Sequence, residues 1–446
     1  MEMKLREHQK KALARMSDKR GFALYHDTGT GKTFTTLKDY LYWYGKGEVN
    51  RALIICPISA MQSWVHHFEE YSPFSPVVIR GSKARRSALI AGDAVVKIIN
   101  YDLIASHKEE LRQAGFDYLV ADESQRLISP KTKWTKAALM LSAIAKVRRV
   151  LTGTPIRKWE IDLFNQMRFI DPAILPYRSH FAFRKRFAIE QNMGGFSKII
   201  GVRNVDEIRA RCAPYCDYVS FDDVVDMPLW VDEQLYVPMV PEQARVYREL
   251  KRQLLTQVNG GLITAQNAAI ELLKLSQVAG GTVKDADGCV HRLGTKKMDE
   301  LKDIVDRTKG SIVVWCRFVE EIRWIQEVFN CPAIHGGVPA SDRESILSDF
   351  AKGKTRMLVC QIQAVAEGVN ELCNAHMEVR WSYDWSYVSW VQSRARLRRM
   401  GRKQKSCLSI QLVTENSTDT RVINSVLKKQ DVALGTLEAI RELLTD

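Results

Sequence analysis

The stretch His26-Asp27-Thr28-Gly29-Thr30-Gly31-Lys32-Thr33 holds the residue types that cradle a phosphate. The apolar run from Gly21 to Tyr25 before it reads as a buried strand, and Phe34 onward reads as a helix. Small residues let the loop curl so that the backbone N–H groups of Gly29 to Thr33 converge on an anion, and the helix adds its positive N-terminal end. Lys32 then reaches the terminal phosphates, and Thr33 holds Mg²⁺ through its hydroxyl. The full pattern has Gly where this chain has His26, so the strict form fails by one residue. An ordinary turn between strand and helix is the alternative.

Further along, residues 116–121 run apolar into Asp122-Glu123-Ser124-Gln125, so two carboxylates leave the carboxyl end of a buried strand. Adjacent strand residues point to opposite faces. Asp122 is therefore expected in the Mg²⁺ shell, with Glu123 facing the water that attacks the γ-phosphate. Thr152-Gly153-Thr154-Pro155 puts two hydroxyls on a rigid turn after another strand, where they can sense that phosphate. Gln392, Arg396 and Arg399 stand at helical spacing within a run also holding Arg394 and Arg398. Like charges so crowded repel, which makes sense beside a polyanion; they are expected to enter an ATP site from a second domain. Gln9 offers a donor and an acceptor to an adenine edge, and fits a solvated helix equally well.

The elements that must position these residues alternate strand and helix. Strands are expected at 21–25, 51–57, 95–99, 116–121 and 149–151, each ending in polar residues, as in a doubly wound α/β domain over residues 1–172. Ser59 follows the second strand, where it caps a helix carrying Trp64 or offers that helix's N-terminus to a phosphate. Residues 173–294 lose the alternation and read as a mainly helical module with an extended crossing at 219–237. Its basic and aromatic stretch 177–186 suits a nucleic-acid groove or a solvated helix face. Strands at 311–316, 333–335, 356–360 and 409–413 define a second α/β domain over 295–446.

At 446 residues and 46% hydrophobic, the chain can bury two or three cores. No apolar run approaches the ~20 residues of a bilayer span, and the first residues alternate charge without a secretory core; a cytoplasmic protein is expected. The formal net charge of +14 favours a polyanionic partner, nucleic acid first. Cys56, Cys316 and Cys360 lie in apolar runs as reduced core thiols, and Cys212 with Cys216 lacks a second pair at zinc spacing.

Taken in order, these motifs resemble those of superfamily 2 helicases and, within them, the Swi/Snf-type translocases of double-stranded DNA. Leu5 to Gln9 resembles the Q motif, HDTGTGKT motif I, ALIICPISAMQSW motif Ia, Asp122 to Gln125 the DEAH-type box, and LTGTPI motif III. In the second half IVVWCRFVEEI resembles motif IV, AVAEGVNELCNA motif V and DWSYVSWVQSRARLRRMGR motif VI. The resemblance implies two RecA-like domains that use ATP and Mg²⁺. Gln9, Thr28, Gly29, Thr30, Gly31, Lys32, Thr33 and Gly368 would bind ATP, with Thr33 and Asp122 on the metal. Lys32, Asp122, Glu123, Gln392, Arg396 and Arg399 would be catalytic, and Gln125, Thr152 and Thr154 would couple the ATP state to DNA. It implies DNA contacts at Ser59, Tyr101, Arg317, Gln363 and Trp385.

Three departures stand out: His26-Asp27 where the subgroup usually has two acidic residues, Gln125 for the usual His, and Arg402 where motif VI commonly ends in Gln. The compact layout resembles small helicases of bacteria and large tailed phages that act on branched DNA. The expectation is a monomeric motor for branch migration or fork regression; the rivals are a tail-loading unwinding helicase, an ATP-switched DNA clamp and a P-loop kinase.

Overall fold

The computed structural model describes residues 4–192, 197–224, 229–259, 265–285, 287–365, 371–397 and 406–442. It divides into two compact units, Met1–Val225 with Lys429–Asp446, and Asp226–Lys428.

In the first unit the strands are β1 (Gly21–His26), β2 (Ala52–Cys56), β3 (Val77–Val78), β4 (Val96–Asn100), β5 (Tyr118–Asp122) and β6 (Val147–Leu151), then an antiparallel hairpin β7 (Ala188–Asn192) and β8 (Ser197–Val202), and β9 (Cys216–Val219). The main sheet has the order β3-β4-β2-β5-β6-β1-β9, and every pairing in it is parallel. Continuous apolar runs suit strands covered on both faces. Phe22, Leu24, Ile54, Ile98 and Val120 pack on one face against Phe34, Leu37, Trp64 and Phe68 from the helices. The order brings the carboxyl ends of β5, β6 and β1 side by side, so everything following those strands shares one edge.

The second unit contains β10 (Leu229–Val237), a hairpin β11 (Thr282–Lys284) and β12 (Val290–Arg292), then β13 (Ile312–Cys316), β14 (Ala333–Ile334), β15 (Met357–Gln361), β16 (Met377–Arg380) and β17 (Ser406–Thr414). Its sheet runs β10-β17-β16-β13-β15-β14, again all parallel. Along β13, Ile312, Val314 and Cys316 enter one core while Val313 and Trp315 enter the other, so helices cover both faces. Both expected parallel α/β units are present.

The expected middle module is corrected. Residues 173–225 belong to the first unit and 226–294 to the second. The crossing expected at 219–237 begins where the edge strand β9 beside β1 ends, and supplies the edge strand β10 beside β17. Within the expected basic and aromatic stretch 177–186, Phe183, Arg184 and Arg186 do not line a groove. Phe183 and Phe187 are buried, with Phe183 stacked on Phe164 at 4.6 Å, and Arg184 and Arg186 pair with Glu190 and Glu207. The second unit ends within the last helix, Thr418–Glu442, whose residues from Lys429 belong to the first unit instead of closing an independent 295–446 domain. There Thr436 Oγ1 donates to Glu160 Oε1 at 2.9 Å.

Candidate active site

After β1 the chain turns through Gly29 (φ 91°) and Gly31 (φ 89°), and the helix Lys32–Gly45 begins. Left-handed backbone at both positions is what glycine supplies cheaply. Gly31 has a second reason: a Cβ there would lie 2.2 Å from Gln9 Nε2. Gln9 is 2% exposed; its amide donates to Thr30 O at 3.2 Å, and its Oε1 accepts from Arg6 N at 2.9 Å. Its amide braces the loop from below. Lys32 Nζ lies across the loop mouth, donating to His26 O at 2.7 Å and Asp27 O at 3.1 Å. Asp27 Oδ2 accepts from Phe221 N at 2.9 Å, and the Phe221 ring packs beneath Gly29.

His26 is fully buried, with Nε2 2.7 Å from Asp217 Oδ2 on β9, and Asp217 also pairs with Arg15. Its Nδ1 is buried without a partner. A buried N–H without an acceptor is costly, so Nε2 carries the hydrogen and Nδ1 the lone pair. Burial pulls the imidazole pKa below its ordinary value despite Asp217.

Beyond β6, at the end of β5, Asp122 Oδ2 accepts from Trp64 Nε1 at 2.8 Å and Oδ1 from Glu123 N at 2.9 Å. Burial raises its pKa first and Glu123 second, while Lys32 opposes them. Glu123 corrects one expectation. It is not a strand residue facing away from Asp122: β5 ends at Asp122, and Glu123 takes a left-handed conformation with φ 51°. Its carboxylate is aimed by that turn, at a cost of about 1 kcal/mol or more.

From Glu123 a chain of hydrogen bonds leads to the next strand. Gln125 Nε2 donates to Glu123 Oε2 at 2.7 Å, Thr152 Oγ1 donates to Gln125 Oε1 at 2.6 Å, and Thr154 N donates to Thr152 Oγ1 at 2.9 Å. The Gln125 carbonyl accepts from Arg157, and Ser124 Oγ donates to Gln166 Oε1 at 2.9 Å. The three residues expected to couple the site are thus joined in one run, with both ends of the Gln125 amide used.

Ser59 loses its expected capping role, and one expected DNA contact, Tyr101, is placed differently. Ser59 is not a helix cap; Pro57 holds that position, and Ser59 is the exposed second residue of the helix Ile58–Tyr71. Tyr101 is 1% exposed, and its hydroxyl donates to Asp122 O at 2.7 Å, so it supports the carboxylate turn from within the core. The other three gather in the second unit, after the carboxyl ends of β13 and β15 and beyond β16. Gln363 Nε2 donates to Asp384 Oδ2 at 3.1 Å, and Arg317 Nη1 to Tyr383 O at 3.4 Å. Arg317 and Trp385 line a cleft of about 340 Å³ with Leu272 and Leu273. Gln392 and Arg396 are buried on the helix Tyr387–Leu397. That helix is set by Arg380, which donates to Ser393 Oγ at 3.1 Å and lies 4.2 Å over the Trp390 ring. Gly368, Arg398, Arg399 and Arg402 lie outside the described residues.

Residues 7–281 match the SNF2-related domain and residues 296–401 the helicase conserved C-terminal domain. The chain belongs to the SNF2-related domain family. An uncharacterized ATP-dependent helicase of Mycoplasma pneumoniae is 23% identical over 433 residues, covering 94% of this chain and 40% of its own length. A SWI/SNF-related matrix-associated actin-dependent regulator of chromatin subfamily A-like protein 1 of Drosophila melanogaster is 24% identical over 416 residues, covering 91% and 52%. The chain spans about half or less of the length of these curated relatives. Among solved structures, the Sulfolobus solfataricus SWI2/SNF2 ATPase core in complex with dsDNA is similar at 22% identity and a TM-score of 0.47, covering 99% of this chain and 95% of that one.

Several partners of this SNF2-related site escaped sequence reasoning. Trp64 was placed on its helix but not against Asp122; Asp217, Arg15, Arg157 and Gln166 were not singled out at all.

Proposed function

We propose that this chain is an ATP-driven translocase on duplex DNA that remodels branched structures by branch migration or fork regression. The observation that carries it is the unbroken run Glu123–Gln125–Thr152, which joins the carboxylate beside the phosphate loop to the turn after the next strand. Membership of the SNF2-related family supports the choice of ATP and DNA.

In this reading the loop amides and Lys32 hold the triphosphate, and Lys32 exchanges its loop carbonyls for phosphate oxygens. Thr33 and Asp122 suit a hard cation: a hydroxyl at the helix start and a desolvated carboxylate whose raised pKa marks a poorly compensated negative charge. Mg²⁺ held there would neutralise charge on the phosphates. Glu123 orients the attacking water, and the amide of Gln125 makes its position depend on Thr152. Gln392, Arg396 and Arg399 are the candidates for stabilising charge that grows on the γ-phosphate. Arg317, Gln363 and Trp385 are the candidates for gripping a DNA backbone.

Branch migration suits such a motor, because each base pair broken is matched by one formed, whereas plain unwinding must supply about 1.4 kcal/mol of stacking per step. The test compares four-way junctions, forks and tailed duplexes of equal arm length at one ATP concentration, with displacement of a triplex-forming strand as the measure of movement. Rapid unwinding of the tailed duplex with inert junctions would favour a strand-tracking helicase. ATP turnover without triplex displacement would favour a clamp.

A further inference from the structure

A second cleft, of about 590 Å³, opens on the first unit, lined from the helices Lys133–Ser142 and Phe164–Ile170 and from residues 178–180. It is remote from the phosphate loop. Arg148 in its lining is in register with Gly21, the first residue of β1, whereas the loop follows His26 at the other end. At about 3.3 Å per residue the length of β1 puts roughly 17 Å between them.

Lys136, Arg148, Arg168, Arg178 and His180 bring basic groups to this cleft from separate elements, and no Asp or Glu lines it. Arg148 Nε is buried without a hydrogen-bond partner, and its Nη1 makes one long bond, 3.5 Å, to Ser142 O. Arg168 reaches the carbonyls of Tyr177 and Arg178 at 3.5 and 3.3 Å. Asp171, the carboxylate nearest in effect to Arg148, accepts instead from Ala173 N at 2.8 Å and stays outside the lining. Neighbouring cations are neutralised: Arg149 by Asp39 at 2.8 Å, Arg184 by Glu190 at 2.8 Å, Arg186 by Glu207 at 3.1 Å. Positive charge that the fold has not compensated collects here.

Converging guanidinium groups suit phosphate oxygens, which they bind in a fork. The lining also holds Leu139 and Met140, both half-buried, apolar surface of no use to a bare inorganic anion but suited to a sugar or base. The volume lies within the range of small-ligand sites; it admits one or two nucleotides of a strand and not a duplex. We propose that this cleft is a second nucleic-acid site, gripping the phosphates of a single strand with residues of the first unit alone, none of them among Arg317, Gln363 and Trp385. The choice of ligand rests on the motor reading above.

The test uses the full chain without ATP. Acetylation of Lys136 is followed by mass spectrometry with and without a short oligothymidylate, and binding is measured against salt for wild type and for Lys136→Gln/Arg178→Gln. Both side chains are exposed, so the fold should tolerate the change. Expected are at least threefold protection of Lys136 by the oligonucleotide and a salt slope lower by roughly 1 for each cation removed. Equal acetylation with and without DNA, or an unchanged slope, would overturn the proposal. Protection by thymidine monophosphate and not by the strand would overturn the assignment to a strand. These readouts are of binding, so absence of ATP turnover in the wild type would sink the motor and leave the cleft to be decided separately.

Discussion

His26 Nε2 stands 2.7 Å from Asp217 Oδ2 across the parallel pairing of β1 with the edge strand β9, although 191 residues separate them in the chain. Because the same residue's carbonyl accepts from Lys32, the strand that anchors the histidine also sets the mouth of the glycine loop proposed to hold phosphate.

His26→Ala removes a buried ring and leaves the half-buried Asp217 carboxylate with Arg15 as its remaining partner, so it should cost about 2–4 kcal/mol in denaturant unfolding. Asp217→Ala should be non-additive with it, by about 0.5–3 kcal/mol in a double-mutant cycle. The sign with pH follows from the depressed imidazole pKa: the contribution is present above the unfolded value near 6.5 and is lost as pH falls below it. Wild type should therefore lose stability towards pH 5.5 more steeply than His26→Gln. Additive single mutants would mean that the pair is not a unit.

Gln125 bonds Glu123 with one end of its amide and Thr152 with the other. Gln125→Ala should leave basal ATP turnover within a few-fold and reduce stimulation by DNA by about tenfold, a loss of about 1.4 kcal/mol. Thr152→Val, which keeps the shape and removes the donor, should behave alike, while Gln125→His should restore part of the stimulation. A fall in basal and stimulated rates by one common factor would place Gln125 in the hydrolytic step itself.

Lys32→Ala and Glu123→Gln should each abolish hydrolysis, for different reasons. In the proposed mechanism Lys32 contributes charge to the bound phosphates, whereas Glu123 acts on the water. Nucleotide binding by calorimetry should therefore weaken in the first and persist in the second. Turnover by Glu123→Gln within a few-fold of wild type would remove Glu123 from the mechanism.

In the second unit Glu321 Oε2 accepts from Ser382 Oγ at 2.5 Å and Phe318 N at 3.3 Å, while Oε1 is buried without a partner. Burial pushes its pKa up to about 7. A carboxyl raised above its unfolded value of 4.5 binds its proton more tightly when folded, so stability is full below pH 4.5 and declines as pH rises to 7. The loss is on the order of 2–3 kcal/mol. Glu321→Gln, which resembles the protonated acid, should flatten that decline in denaturant titrations at pH 4.5 to 8. A slope unchanged by the substitution would show that Glu321 does not cause it.

The strands that carry the site were legible because a parallel strand covered on both faces is a nearly continuous apolar run, as in β1, β2, β5 and β13. β16 was not, because two of its residues are Glu378 and Arg380, which read as solvated. Both are buried, paired at 3.0 Å, and held by Trp315, Ser409 and Ser393. The site shows the same division. Residues at or just after a strand end, such as Asp122, Lys32 and Thr152, announce themselves by spacing. Their supports do not: Trp64 is 58 residues from Asp122. Tyr101 was misplaced for a related reason, since an aromatic after a strand end looks available until packing decides that its hydroxyl serves Asp122 O.

The return of residues 429–446 to the first unit bears on how the chain is made. A ribosome delivers β1 to β9 first, then the whole second unit, and only afterwards Thr436, which belongs beside Glu160 and Arg209. At about 5–20 residues per second, the 211 positions from Val225 to Thr436 take roughly 10–40 s to synthesise. A first unit that folded during that interval would lack Thr436 beside Glu160 and Arg209. The portion begun first is completed last.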